Sequence, residues 1–210
     1  MSVEGKIDLW KERLIIEWRA MGRTKYLPFI VNYLLTPLGA LVYKRLKSEF
    51  YLSYLEDQIV FFAPLVAVWW ILLIMQQYVE GDGREILHIS GKSRASGVIA
   101  FYMIYIISLI PIFLYILANM PRALIVIPLL FFKCFMFVGI FYMISVLMGS
   151  VSYGFIIVFV LSLFMENRLG MLLRLLGLGL ADSSAGYGLT GLICMTAGIS
   201  SEKLFEKRFR

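Results

Sequence analysis

The sequence predicts an all-α polytopic membrane protein with six transmembrane helices. Three observations carry that prediction. Of 210 residues, 60% are hydrophobic and 16% charged, with a mean hydropathy of +0.83, whereas soluble domains run at roughly 45–50% apolar and about 25% charged. Six runs approach the ~20 apolar residues that a helix needs to cross a bilayer core, at about 26–43, 58–79, 96–118, 123–147, 151–165 and 184–201. Lysine and arginine are divided unequally between the connections, as the positive-inside rule requires.

Residues 1–25 come first and carry charges throughout, without an apolar core followed by a small-residue cleavage site, so no removed signal peptide is expected. Ile7, Trp10, Leu14, Ile15, Trp18 and Met21 recur at helical spacing, while Lys11, Arg13 and Arg19 fill the other face. That pattern predicts a cytoplasmic amphipathic helix lying in the headgroup layer, anchored by Trp10 and Trp18; a solvated charged tail is the plainer alternative.

Residues 26–210 form a single transmembrane domain, because no polar stretch exceeds about 25 residues. Pro28, Asn32, Thr36 and Pro37 interrupt the first run. Pro64, Pro111 and Pro128 fall in the second, third and fourth, where kinks are tolerable if neighbours satisfy the freed carbonyls. The fifth run is about 15 residues long and needs local thinning of the bilayer or burial by neighbours. Beyond it, 166–183 is apolar yet carries Glu166, Arg168, Arg174, Asp182 and several glycines, which predicts a re-entrant or interfacial excursion on the outer face, with an ordinary amphipathic surface helix as the alternative. In the sixth run Gly186, Thr190, Cys194 and Gly198 repeat every four residues, a small-residue stripe for helix packing within the subunit or across a dimer.

An even number of crossings puts both termini on the side of the 80–94 connection. That side receives Lys6, Lys11, Arg13, Arg19, Arg23, Lys25, Arg84, Lys92, Arg94, Lys203, Lys207, Arg208 and Arg210; the other receives Lys44, Arg45, Lys47, Arg122, Arg168 and Arg174. The bias of about two to one places both termini in the cytoplasm, with the chain in the cell membrane. The net charge of +6 is accounted for by these flanks and calls for a lipid bilayer, not a nucleic acid.

The 80–94 connection contains Gly91-Lys92-Ser93, the tripeptide that closes a phosphate-binding loop. The glycine such a loop needs five positions earlier is Ile86, and a long apolar run rather than a short strand precedes it. The chain therefore does not bind nucleotide by this device. The same segment reads Glu80, Gly83, then Glu85-Ile-Leu87-His-Ile-Ser90-Gly-Lys-Ser93-Arg94, directly before the third run. Here the chain resembles the membrane subunits of type-2 ABC exporters, whose second span is followed by Glu, Gly-Thr, Glu-x-Leu-Leu and Pro-x-Ser-Arg; Gly91 stands where that family usually has proline. The resemblance extends to six spans, the N-terminal interfacial helix and the excursion between spans five and six. It implies that 80–94 is a coupling helix docking on a separate ABC ATPase subunit through Glu80, Gly83, Glu85, Leu87, Ser93 and Arg94. It also implies a second permease subunit, the same or homologous, with ATP and Mg on the ATPase subunits and no cofactor on this chain. A solvated loop whose Arg84, Lys92 and Arg94 only fix topology is the alternative.

Lys133 sits about ten residues into the fourth run, where an ionisable group costs about 2.5–3.5 kcal/mol to insert and is a functional candidate by default. It is read as lining a substrate or dimer cavity, against snorkelling or a structural partner. Catalysis is not expected. The single histidine, His88, excludes a histidine-cluster metal site, and Cys134 and Cys194 have no histidine or acid at span depth to activate them. Asp82-Gly-Arg-Glu opens like a lipid-headgroup transferase motif, but no aspartate follows from Gly83 to Met165. Besides an exporter subunit, two further classes stand open: an ATP-independent channel or secondary transporter, and a membrane receptor or immunity protein that binds a peptide without moving it.

Overall fold

A computed structural model describes residues 3–46, 51–81, 94–119, 126–167 and 184–208, and these are almost entirely helical. Helix α1 spans Val3–Ala20. A 3-10 turn at Gly22–Tyr26, α2 at Leu27–Ile30, a π-helical turn at Val31–Leu35 and α3 at Thr36–Leu46 follow without a break. Then come α4 (Tyr51–Val79), α5 (Arg94–Asn119), α6 (Val126–Met148), α7 (Val151–Asn167) and α8 (Ser184–Arg208). Among the described residues three stretches are long and apolar enough to cross a membrane: Phe61–Val79, Arg94–Ala118 and Val126–Met148. The other three expected crossings are helical but differ in kind. Helix α7 has 17 residues, about 25 Å at 1.5 Å per residue against a core of about 30 Å. Helix α8 is 25 residues long, yet its last turns carry Glu202, Lys203, Glu206, Lys207 and Arg208.

The segment 22–46 stays helical through its prolines by changing pitch. Gly22 takes a left-handed conformation (φ 64°) that ends α1 and turns the chain. Pro28 falls at the start of α2, where its missing N–H costs nothing. Pro37 has no N–H for the preceding turn, and there the helix widens, with the Thr36 amide and hydroxyl both donating to the Val31 carbonyl, the hydroxyl at 2.9 Å. Two carbonyls of the 3-10 turn are met by indole N–H groups of α4: Trp69 donates to Thr24 at 3.3 Å and Trp70 to Lys25 at 2.9 Å. Asn32, buried, donates to the Tyr105 hydroxyl at 3.2 Å, and that hydroxyl donates to the Ala63 carbonyl at 2.9 Å. Asn32 and Tyr105 are thus paired, as an apolar surround demands.

Contacts along the rods fix their directions. Lys25 meets Trp70, and Asn32 reaches Ala63 through Tyr105, so 22–46 runs antiparallel to α4. Arg94 and Tyr142 meet on Glu202, while Tyr102 donates to the Phe131 carbonyl at 2.8 Å, so α5 runs antiparallel to α6. Gly149, also left-handed (φ 63°), ends α6, and Gly154 returns against Phe141 and Ser145, so α7 runs back along α6. Phe132, Phe135 and Tyr142 of α6 face Gly188, Gly191 and Gly198 of α8 in that order, making α6 and α8 parallel. Six successive rods alternate in direction, and one end of the bundle gathers Tyr78, Glu80, Arg94, Tyr142, Ser150 and Glu202.

Helix α6 is the centre. Most of its circumference is buried, with Leu130, Cys134, Phe137, Phe141 and Tyr142 at most 1% exposed, while Leu129, Lys133, Ile140 and Ile144 on the remaining side are half-buried. Trp70, fully buried, is the aromatic hub of the other half: Trp18, Phe29 and Tyr105 pack edge-on against it at centroid distances of 5.4, 5.4 and 5.8 Å. The apolar surface turned outward is large. Ile99, Met103, Ile107, Ile110 and Leu114 form one exposed stripe on α5, and Tyr153, Ile156, Val160 and Leu163 another on α7. Water would penalise such stripes; acyl chains do not.

Close approach of α6 and α8 depends on glycine. A methyl group on Gly191 would come within 2.6 Å of the Phe135 ring and 3.0 Å of the Met136 amide nitrogen, and one on Gly139 within 2.7 Å of the Gly191 carbonyl oxygen. Gly191→Val is therefore expected to destabilise the chain by about 1–3 kcal/mol through overpacking. Leu192→Val, on the exposed face of the same turn, should leave thermal unfolding in mild detergent nearly unchanged.

Candidate functional site

The candidate site is the end of the bundle where α4 stops and α5 begins, the two roots of the 82–93 connection. Gly83, Glu85, Leu87 and Ser93 lie outside the described residues, as does the excursion expected between spans five and six; Glu80 and Arg94 flank the connection and are described. Each root is held by a side-chain link to a helix distant in sequence.

At the first root the Glu80 amide donates to the Gln76 carbonyl at 3.0 Å, prolonging α4 by one residue. One Glu80 carboxylate oxygen accepts from the Ser150 hydroxyl at 3.0 Å and from the Val151 amide at 2.9 Å. Val151 opens α7, so Glu80 caps that helix from another element and places a negative charge at the positive end of its dipole. Glu80 is exposed, and on its open side lies a pocket of about 390 Å³ between the Ala20–Thr24 elbow and Gln76 and Gln77.

At the second root the geometry is tighter. Arg94 is the first residue of α5, and its amide, free of any intrahelical acceptor at that position, donates to Glu202 Oε1 at 3.1 Å. Its Nε lies 3.4 Å from the same oxygen. The other carboxylate oxygen, Oε2, accepts from the Tyr142 hydroxyl at 2.6 Å. Glu202 is 5% exposed and the Arg94 side chain 13%, so three donors from α5 and α6 compensate one buried carboxylate of α8. A third carboxylate, Glu17 of α1, is also buried and accepts from the Tyr78 hydroxyl two residues before Glu80.

The remaining predicted residues are placed elsewhere. Leu14, Trp18 and Met21 turn toward the bundle while Ile15 is exposed; Trp10 lies on α1, its side chain outside those described. Trp18 stacks on Phe101 at 6.4 Å and takes the Lys25 ammonium over its ring at 5.2 Å. Lys133 is half-buried on α6, two turns from that helix's start and away from the clamped end. Gly186 and Cys194 are buried and Thr190 is exposed, its hydroxyl donating to the Gly186 carbonyl at 2.9 Å; Gly198 meets the Tyr142 ring. Among the glycines of α8, Gly188, Gly191 and Gly198 lie against Phe132, Phe135 and Tyr142 of α6. Pro128 falls in the first turn of α6 rather than within it.

Sequence reasoning did not find Glu17, Tyr142 or Glu202. A signal existed: Glu17 interrupts the apolar stripe of α1, and Glu202 follows the small-residue face of the sixth run at helical spacing from Gly198. Among the described residues no group of histidine, cysteine, aspartate and glutamate is placed to hold a metal. Comparison with family models, curated proteins and solved structures finds no match.

Removing the Glu202 carboxylate deletes the acceptor shared by the Arg94 amide, the Arg94 guanidinium and the Tyr142 hydroxyl. Glu202→Ala is expected to cost about 3 kcal/mol in reversible unfolding in mixed micelles. Glu80→Ala removes a cap at an exposed position and should cost only about 1 kcal/mol.

Proposed function

We propose that this chain is the membrane-embedded permease subunit of an ATP-driven exporter. In this reading it crosses the cell membrane six times with both termini in the cytoplasm, pairs with a second permease subunit and is driven by separate ATPase subunits that carry ATP and Mg. The observation that carries the reading is the linkage of both roots of the 82–93 connection: Glu80 to the start of α7, Arg94 through Glu202 to α8 and through Tyr142 to α6. A short connection on a membrane protein's polar end usually runs free of the bundle. Here its ends, on α4 and α5, are tied to the other three long helices, so a partner that grips the connection and rotates moves those helices together. The alternating directions of six rods and their outward apolar stripes support the six crossings, with α7 crossing where α4 and α6 shield it and the bilayer thins.

Within this reading Glu85 and Leu87 meet the ATPase subunit, leucine as apolar anchor and glutamate setting register. Glu80 and Arg94, which the resemblance also assigns to that contact, face their partners within the chain. Lys133 on the central helix remains the candidate for the cargo pathway, and cargo passes along α6.

Affinity purification of the tagged chain from its native membrane is expected to bring down an ATPase with a phosphate-binding loop. Glu85→Arg should abolish coupling of hydrolysis to the membrane subunit, and Lys133→Met should impair export while leaving the complex assembled. Absence of any ATPase under conditions that preserve other membrane complexes contradicts the reading.

A further inference from the structure

We propose that the pocket between the Ala20–Thr24 elbow and the end of α4 is a headgroup site for a phospholipid bearing a primary ammonium, with an acyl chain lying along the outer face of 22–46. The site goes beyond the exporter reading. It rests on the chain being embedded in a bilayer and needs no ATPase.

The pocket holds about 390 Å³, within the range of about 300–1,000 Å³ typical of small-molecule sites. Glu80, Gln76 and Gln77 supply polar groups to its wall, and Thr24 and Leu73 also line it. Ser150 and Val151 both donate to Oε1 of Glu80, which holds the carboxylate in place. Its Oε2 has no donor among the described residues, and neither do the side-chain oxygens of Gln76 and Gln77. A primary ammonium carries one positive charge and three N–H donors, so one such group satisfies all three acceptors. A choline headgroup has the charge without a donor, and a glycerol headgroup has donors without the charge. Arg23, exposed on the same elbow, supplies a cation for the phosphate that accompanies the ammonium.

Two observations make the ligand a lipid rather than a soluble amine. The elbow is built like a membrane interface: the Lys25 ammonium lies over the Trp18 and Tyr26 rings at 5.2 and 5.3 Å, and the Trp69 indole donates to the Thr24 carbonyl. From Thr24 onward, Leu27, Ile30, Leu34, Leu38 and Leu41 continue at spacings of three and four, between 39% and 57% exposed. Leu27 to Leu41 covers about 21 Å at 1.5 Å per residue, enough to follow a chain through the ~15 Å of hydrocarbon in one leaflet. The ammonium pocket and the apolar track therefore meet at one elbow.

The test is native mass spectrometry of the full chain in a non-ionic detergent, titrated with dioleoyl phosphatidylethanolamine, phosphatidylcholine and phosphatidylglycerol, with thermal unfolding read in parallel. Wild type is expected to bind the ethanolamine lipid about tenfold more tightly than either of the others. Glu80→Gln, which keeps an acceptor for Ser150 and Val151, should bring that lipid down to the level of the choline lipid. Gln76→Trp fills the pocket from an exposed position, leaves Glu80 in place and should also remove the preference, so the outcome does not hang on how one variant folds. Glu12→Gln changes an exposed acid on α1 two turns before the elbow and should retain it. Equal binding of the three lipids by wild type, or a preference that survives either pocket variant, overturns the proposal. Binding of free phosphoethanolamine as tightly as the lipid assigns the pocket to a soluble amine and overturns it too. Co-purification of an ATPase has no bearing on these results, so this site and the exporter reading fail separately.

Discussion

Glu202 is the side chain on which the arrangement of the last helix depends. A carboxylate with 5% of its side chain exposed needs hydrogen-bond donors to offset its burial, and it finds them at the start of α5 and near the end of α6. Satisfying it fixes the depth of α8 relative to two neighbours at once. The glycines that let α8 lie close against α6 fix the distance and the face. Sliding α8 by one turn along α6 would take Glu202 away from Tyr142 and drive Gly188, Gly191 and Gly198 off the aromatic rings they accommodate.

This combination suits a chain surrounded by lipid. Acyl chains are as apolar as leucine, so burial of apolar area between helices offers little that the bilayer does not already supply. What remains is close van der Waals contact and polar pairing, and the structure concentrates each in its own place. Glycine contacts bring α6 and α8 together through the middle of the bundle. Aromatic packing around Trp70 joins α1, α2 and α5 to α4. Carboxylates collect at the end where the connection 82–93 begins and finishes. There Glu17 binds α4, Glu80 binds the start of α7, and Glu202 binds both α5 and α6.

Much of the helical plan was legible in the sequence. Long apolar runs around Trp70, Tyr105 and Phe137 leave no reading but buried helix. The first run was legible only in part, because Asn32, Pro37 and their neighbours predict an interruption, while the chain resolves it with a π-turn and tertiary hydrogen bonds to Tyr105 that no local rule foresees. The small-residue stripe was read at a spacing of four from Gly186. Gly188 and Gly191, outside that stripe, lie against α6 rings, as does Gly198 within it, because Phe132, Phe135 and Tyr142 of α6 set where a small residue is needed. Hardest to read were the links of the site. Arg94 looks like a surface charge in the sequence, and only the fold brings Glu202, 108 positions away, to meet it.

The central claim is that the six rods alternate across a bilayer with Glu80, Arg94 and Glu202 at the cytoplasmic face. Single cysteines at Ser48, Ser90, Arg122, Asp182 and Lys207, probed with a membrane-impermeant maleimide from either side of sealed vesicles, test it most directly. The native cysteines, Cys134 and Cys194, are buried and serve as a silent background. The account predicts labelling of positions 90 and 207 from the cytoplasmic side and of 48, 122 and 182 from outside. Labelling of 48 from the same side as 90 would mean that 26–43 does not cross, and the alternation on which the whole reading is built would be wrong.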